Sequence, residues 1–163
     1  MASRIFNKQA VLKPSAMATV ADRRFDDARM LAASKDNARA NGVAYFAGFV
    51  IEILLKAQLV RKHSATARRR PHEVATTKVT EAERKVWALI WRQHDLEQML
   101  IELPQLESAL VKRGQRDGKD YVADLKKICA TWTIQARYSP HTMKMSEAKA
   151  ILNRVKELKE LIK

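Results

Sequence analysis

The chain has 163 residues, 47% of them hydrophobic and 30% charged, with one cysteine, 4 Gly and 4 Pro. That length suits one domain with a sizeable core, and the balance excludes a wholly disordered chain. The lone Cys129 excludes a disulfide framework and a zinc site on paired thiolates, and Gly plus Pro at about 5%, against roughly 12% in ordinary usage, favours helices over a turn-rich β fold.

The net charge of +13 is unevenly spread. Residues 1–21 carry Arg4, Lys8 and Lys13 and no acid, while residues 61–72 carry Arg61, Lys62, Arg68, Arg69 and Arg70, again with no acid. The rest of the chain is only mildly basic. Such a field attracts polyanions, RNA first among them.

In chain order, residues 1–14 read as a flexible basic arm closed by Pro14. Residues 1–21 are basic, contain Ser and Ala and lack acids, which mimics a transit peptide, but they lack the apolar core of a secretory signal, and no apolar run elsewhere approaches the roughly 18 residues of a membrane span. The expected location is therefore the cytoplasm, with no membrane partner. Residues 15–163 read as one helical domain. Val20, Phe25, Ala28, Leu31 and Ala32 recur at helical spacing, which predicts a helix over 15–34. Asp36 is the expected N-cap of a central helix over 37–62, whose broad stripe includes Val43, Ala47, Val50, Ile51, Leu54 and Leu55. Residues 63–79, basic and interrupted by Pro71, read as a loop. Thr80-Glu81-Ala82-Glu83 is a capping box and predicts a helix start. Short helices are expected over 96–103 and from Pro104 to Lys112, with Gly114 and Gly118 bracketing a polar turn. A helix over 119–136 buries Tyr121, Leu125, Ile128 and Trp132, and Ser146 is expected to cap a last helix. The sum is an all-α, up-and-down bundle of four to five main helices.

Three clusters are candidates for chemistry. Glu52 and Lys56 stand four apart in an apolar run, about 40° apart on one helix face with Tyr45 between them. Charges facing a core must be paired, so they form either a structural ion pair or the wall of a polar pocket. His94-Asp95 follows Trp87 and Trp91. Neighbouring side chains on a helix do not face each other, so Asp95 is expected to cap the next helix and His94 to bind across the bundle. Arg137-Tyr138-Ser139-Pro140-His141 is the third, with Arg137 able to pair with Glu52. The four histidines lack the spacing of a metal site, and no phosphate-binding glycine loop is present, so no metal and no cofactor are expected.

Read together, these blocks resemble the HEPN family, the higher eukaryotes and prokaryotes nucleotide-binding domains. Ala44 to Ala57 contains Gly48-Phe49-Val50-Ile51-Glu52-Ile53-Leu54-Leu55-Lys56, similar to the family's Gly-Tyr-x-x-Glu-x-x-Leu-Lys helix with Phe49 in the Tyr place. His94-Asp95-Leu96 leads into a short apolar helix, and Trp132 is followed by Ala136-Arg137-Tyr138. The blocks span about residues 22–163. The resemblance implies a helical bundle, often a homodimer, that pairs with a nucleotidyltransferase in toxin–antitoxin systems or acts on RNA in defence. It carries over Glu52, Lys56, His94, Asp95, Arg137 and Tyr138.

Many members of that family are metal-independent ribonucleases with an Arg-x4–6-His motif. Here Arg68 to His72 and Arg137 to His141 each enclose three residues, and no pair encloses four to six. The leading expectation is therefore a nucleotide-, RNA- or partner-binding module, with Arg61, Lys62, Arg68, Arg69 and Arg70 as the nucleic-acid-binding set. The alternatives are an atypical ribonuclease using Arg137 and His141, or the 68–72 loop, and a purely structural interaction domain.

Overall fold

A computed structural model describes residues 13–34, 36–75, 78–132 and 143–163. Among the described residues there are nine α-helices, one 3-10 turn and no strand. The chain is an all-α bundle, and six of its helices have eleven or more residues.

Helix α1 (Pro14–Ala33) starts with Pro at its first position, where the missing N–H costs nothing. It buries Ala21, Phe25, Ala28 and Ala32, a stripe at spacings of four, three and four. Three alanines in that stripe let α1 lie close against α2 (Ala40–Lys62). Asp36 accepts the Ala38 N–H at 2.9 Å and caps the 3-10 turn Asn37–Arg39 that leads into α2, as the sequence predicts.

Helix α2 is the core. Val43, Ala47, Val50, Ile51, Leu55 and Leu59 are fully buried, and α1 and α9 (Met145–Ile162) flank it. Contrary to the sequence expectation, residues 37–62 contain an 18-residue window apolar enough to cross a membrane, with a mean hydropathy of 1.7. However, 67% of the apolar window is buried against the other helices, so it serves as a core helix.

Two ties at each end set α9 parallel to α2. Asn37 and Asn41 accept the backbone N–H groups of Met145 and Met143, at 3.0 and 2.9 Å. At the far end the Gln58 amide donates to the Ile162 carbonyl, and Arg61 Nη2 donates to the Lys163 backbone oxygen at 3.3 Å. Lys159 on α9 and Lys163 just after it both reach Asp22 on α1, at 2.7 and 2.6 Å. Burial alone would push the Lys159 ammonium down, but the Asp22 and Glu160 carboxylates outweigh it and hold the group above its ordinary value.

The segment read as a loop over 63–79 contains two short helices, α3 (Ser64–Arg68) and α4 (Pro71–Val74). Helix α5 (Glu81–Trp91) starts at the expected capping box, with Thr80 and Glu83 bonded reciprocally. Helix α6 (Leu96–Ile101) is capped by Asp95. Helix α7 (Pro104–Asp117) runs through Gly114, five residues beyond the expected end, and stops at Gly118 with φ of 65°. The turn bracketed by Gly114 and Gly118 is therefore the last turn of a helix. Helix α8 (Tyr121–Thr131) begins at Asp120, which accepts the Ala123 N–H at 2.9 Å. The expected continuation of α8 to residue 136 lies outside the described residues. Ser146 sits inside the first turn of α9 and is not its cap. Lys144 holds that position, its N–H donating to the Glu147 carboxylate at 3.1 Å.

Candidate functional site

The charged pair of α2 is buried and joined by a third group. Glu52 is 1% exposed. Its Oε1 accepts from Lys56 Nζ at 2.7 Å and from His94 Nδ1 at 2.8 Å. A carboxylate beside an ammonium is ionised and can only accept, so the proton on His94 sits at Nδ1. The bond ties α2 to the connection between α5 and α6. Glu52 Oε2 is buried with no hydrogen-bond partner among the described residues.

An imidazole held at Nδ1 by a carboxylate leaves Nε2 available as a proton acceptor, which is how a general base is oriented. A base also needs a partner for the reacting phosphate. Arg92, two residues away, instead has its guanidinium 5.0 Å from the centre of the Trp87 ring. Asp95 is committed to capping, accepting the Gln98 N–H at 2.9 Å. Within the described residues the Glu52–Lys56–His94 cluster is a cross-tie of the bundle. Arg137, Tyr138 and His141 lie outside the described residues, as does any pairing of Arg137 with Glu52.

Next to this cluster the first and third sequence blocks meet. Trp132 packs on Gly48, its Nε1–H donates to the Tyr45 carbonyl at 3.1 Å, and its ring stacks on that of Tyr45 at 6.1 Å. Tyr45 also stacks on Phe49 and meets Phe46 edge-on. These rings form an aromatic wall two turns before Glu52.

The basic segment after α2 is built differently from a solvated loop. The Trp91 indole N–H donates to the Ala67 carbonyl and the Trp87 indole N–H to the Arg69 carbonyl, both at 3.1 Å. Thr66 and Ala67 are buried beneath. Two alternate carbonyls are thus pinned to α5, with the exposed Arg68 between them. Arg69 is partly spent, because it pairs with Glu83 at 2.9 Å. Lys62 donates to the Glu102 backbone carbonyl at 2.7 Å, and Arg61 to Gln58 and to the Lys163 backbone oxygen. The Arg70 backbone N–H donates to the Glu73 carboxylate at 2.6 Å, and among the described residues no ion pair joins Arg61, Lys62, Arg68 or Arg70 to an Asp or Glu side chain. Burial pushes the His63 imidazole down from its ordinary value and the Lys62 charge pushes it further, so at neutral pH His63 adds no charge here.

A cavity of about 410 Å³ opens beside this segment, lined by Lys13, Arg61, Ser64 and Arg68 over a floor that includes Val60 and Ala67. The charge pattern of the sequence marks Arg61 and Arg68 as candidates but carries no signal that Lys13 joins them. Elsewhere, Cys129 is buried, and burial raises its thiol to about 12. The folded protein is therefore expected to react with Ellman's reagent at pH 8 far more slowly than the denatured chain. Equal rates would place the thiol at the surface.

No family model matches the chain, and no curated protein and no solved structure matches it either.

Proposed function

We propose that this chain is a HEPN-like binding module that engages RNA through the pinned basic segment at residues 61–70, and that it is not an active nuclease. The observation carrying this reading is a set of four cations, Arg61, Lys62, Arg68 and Arg70, without an Asp or Glu ion-pair partner among the described residues, on a segment fixed by two indole hydrogen bonds. A solvated charge run needs no such anchoring. Trp91, 36% exposed beside the segment, adds an aromatic surface of the kind single-stranded nucleic acids use for stacking. The HEPN-like part is supported by the convergence of the three sequence blocks, in which Gly48 and Glu52 of α2 meet Trp132 and His94. On this reading the module acts in the cytoplasm as a homodimer, with a nucleotidyltransferase as partner protein, in a toxin–antitoxin or defence setting.

The test is fluorescence anisotropy with a short single-stranded RNA across a salt series. Affinity is expected to fall steeply with salt, and Arg68→Ala or Arg70→Ala to reduce the slope of log affinity against log salt by about 0.7 each. Arg69→Ala is expected to change it less, because Glu83 already neutralises that side chain. Unchanged binding in a triple Arg68, Arg69 and Arg70 to Ala variant would remove the segment from the function. The same samples, held with EDTA, are expected to leave the RNA intact. Cleavage that His141→Ala abolishes would instead establish the ribonuclease reading through Arg137 and His141.

A further inference from the structure

The cavity at the end of α2 carries more than a general basic field. A helix C-terminus favours cations in its last turn, which accounts for Arg61 and Lys62. The same preference covers Arg68, which ends α3, but it does not account for Lys13, which precedes α1. Two segments distant in sequence, Lys13 and residues 61–68, thus bring an ammonium, two guanidiniums and the Ser64 hydroxyl to one concavity with no Asp or Glu among its described lining residues. Hydrogen bonds tie the wall on both sides. Ala67 is held by Trp91, and Arg61 is oriented by Gln58 and the Lys163 backbone oxygen. Arg61 uses two of its donors in those bonds and keeps the rest.

From this lining we infer that the Lys13–Arg61–Ser64–Arg68 cavity is a subsite for a phosphomonoester, the terminal phosphate of an RNA strand. The inference rests on the RNA-binding reading and specifies its ligand. A backbone phosphodiester carries one negative charge. A phosphomonoester carries about 1.5 to 2 and offers three strong acceptor oxygens, and guanidiniums meet such oxygens in bidentate pairs. Three cations and a hydroxyl suit the larger charge and the three acceptor oxygens of the monoester better than the single charge of a diester. The volume of about 410 Å³ admits the terminal phosphate with part of its nucleoside.

Binding of four probes to the full chain tests this. They are one RNA sequence with a 5′-phosphate, with a 3′-phosphate, or with hydroxyls at both ends, and a free nucleoside 5′-monophosphate. At least one phosphorylated strand is expected to bind about tenfold more tightly than the hydroxyl strand. Lys13→Ala and Arg68→Ala are each expected to collapse that ratio towards one. Arg70→Ala, which does not line the cavity, is expected to weaken all strands alike and keep the ratio. Equal binding of the three strands by the wild type overturns the subsite and leaves the RNA reading standing. Binding of the mononucleotide without binding of any strand overturns the RNA end as the ligand and the RNA reading with it, and assigns the phosphate to a free nucleotide. If the strands bind with a preference that survives both Lys13→Ala and Arg68→Ala, the terminal phosphate sits elsewhere and the assignment fails.

Discussion

Lys56→Met is expected to destabilise the bundle by about 3–5 kcal/mol, the cost of leaving one member of a buried pair without its partner. The side chains of Glu52 and Lys56 are 2% and 12% exposed, so solvent cannot replace the lost ammonium. The remaining partner, His94, is 41% exposed and cannot by itself compensate a carboxylate whose Oε2 already lacks a donor among the described residues. His94→Ala should cost less, about 1–2 kcal/mol, because the Lys56 bond survives and the lost contact lies at the rim. The double variant Glu52→Leu with Lys56→Met should recover most of the loss, since a buried ion pair is often no more stabilising than apolar groups of similar size. Urea unfolding of the three variants measures the order. A neutral Lys56→Met would mean that the pair is solvated and that α2 is turned the other way about its axis.

The Glu52–Lys56 pair is legible in the amino-acid sequence because its signal is local. Two charges at i and i+4 in an apolar run can only face the same way, and the penalty for burying them unpaired predicts the bond. The caps at Asp36, Thr80 and Asp95 are legible for the same reason, as each is settled within three residues. What the sequence does not show is set by contacts between distant segments. Helices α3 and α4 have five and four residues, too short for a hydrophobic period to register, and the next long helix ties both, the first through the Trp91 and Trp87 bonds to Ala67 and Arg69 and the second through Arg84 Nε, which donates to the Val74 carbonyl at 3.3 Å. Gly114 looks like a turn residue. It stands inside α7 because a Cβ there would lie 2.3 Å from the Lys119 carbonyl oxygen, where the chain folds back after Gly118. Asn37 and Asn41 look like ordinary polar residues at a helix start, and only the position of α9 shows that they receive its first N–H groups. The candidate site divides the same way. Arg61 and Arg68 stand out as charge, whereas Lys13 joins their cavity only through the fold.

Gly48→Ala is expected to cost about 1–3 kcal/mol net, a large effect for one methyl group. The added Cβ would lie 1.8 Å from Trp132 Cδ1 and 2.3 Å from two further ring atoms, well inside contact distance. An indole is rigid, so the ring must move as a whole or the helix must shift. Trp132 is 7% exposed, and moving it breaks the Nε1–H bond to the Tyr45 carbonyl and the stack on the Tyr45 ring. Overpacking a core costs roughly 1–3 kcal/mol, and the lost hydrogen bond adds about 1. Helix propensity works the other way, since alanine in a helix interior is favoured over glycine by about 1 kcal/mol, so a net loss isolates the steric contact. The clash depends on a partner 84 residues away by number, so removing that partner should remove the penalty. In a Trp132→Ala background, itself costing about 3–5 kcal/mol, Gly48→Ala should become neutral or slightly stabilising. Tryptophan fluorescence gives an independent readout. In the single Gly48→Ala variant the emission should shift to the red as Trp132 leaves its buried site. Unchanged stability together with an unchanged spectrum would show that Trp132 does not lie on Gly48, and would separate the first and third sequence blocks that the bundle brings together.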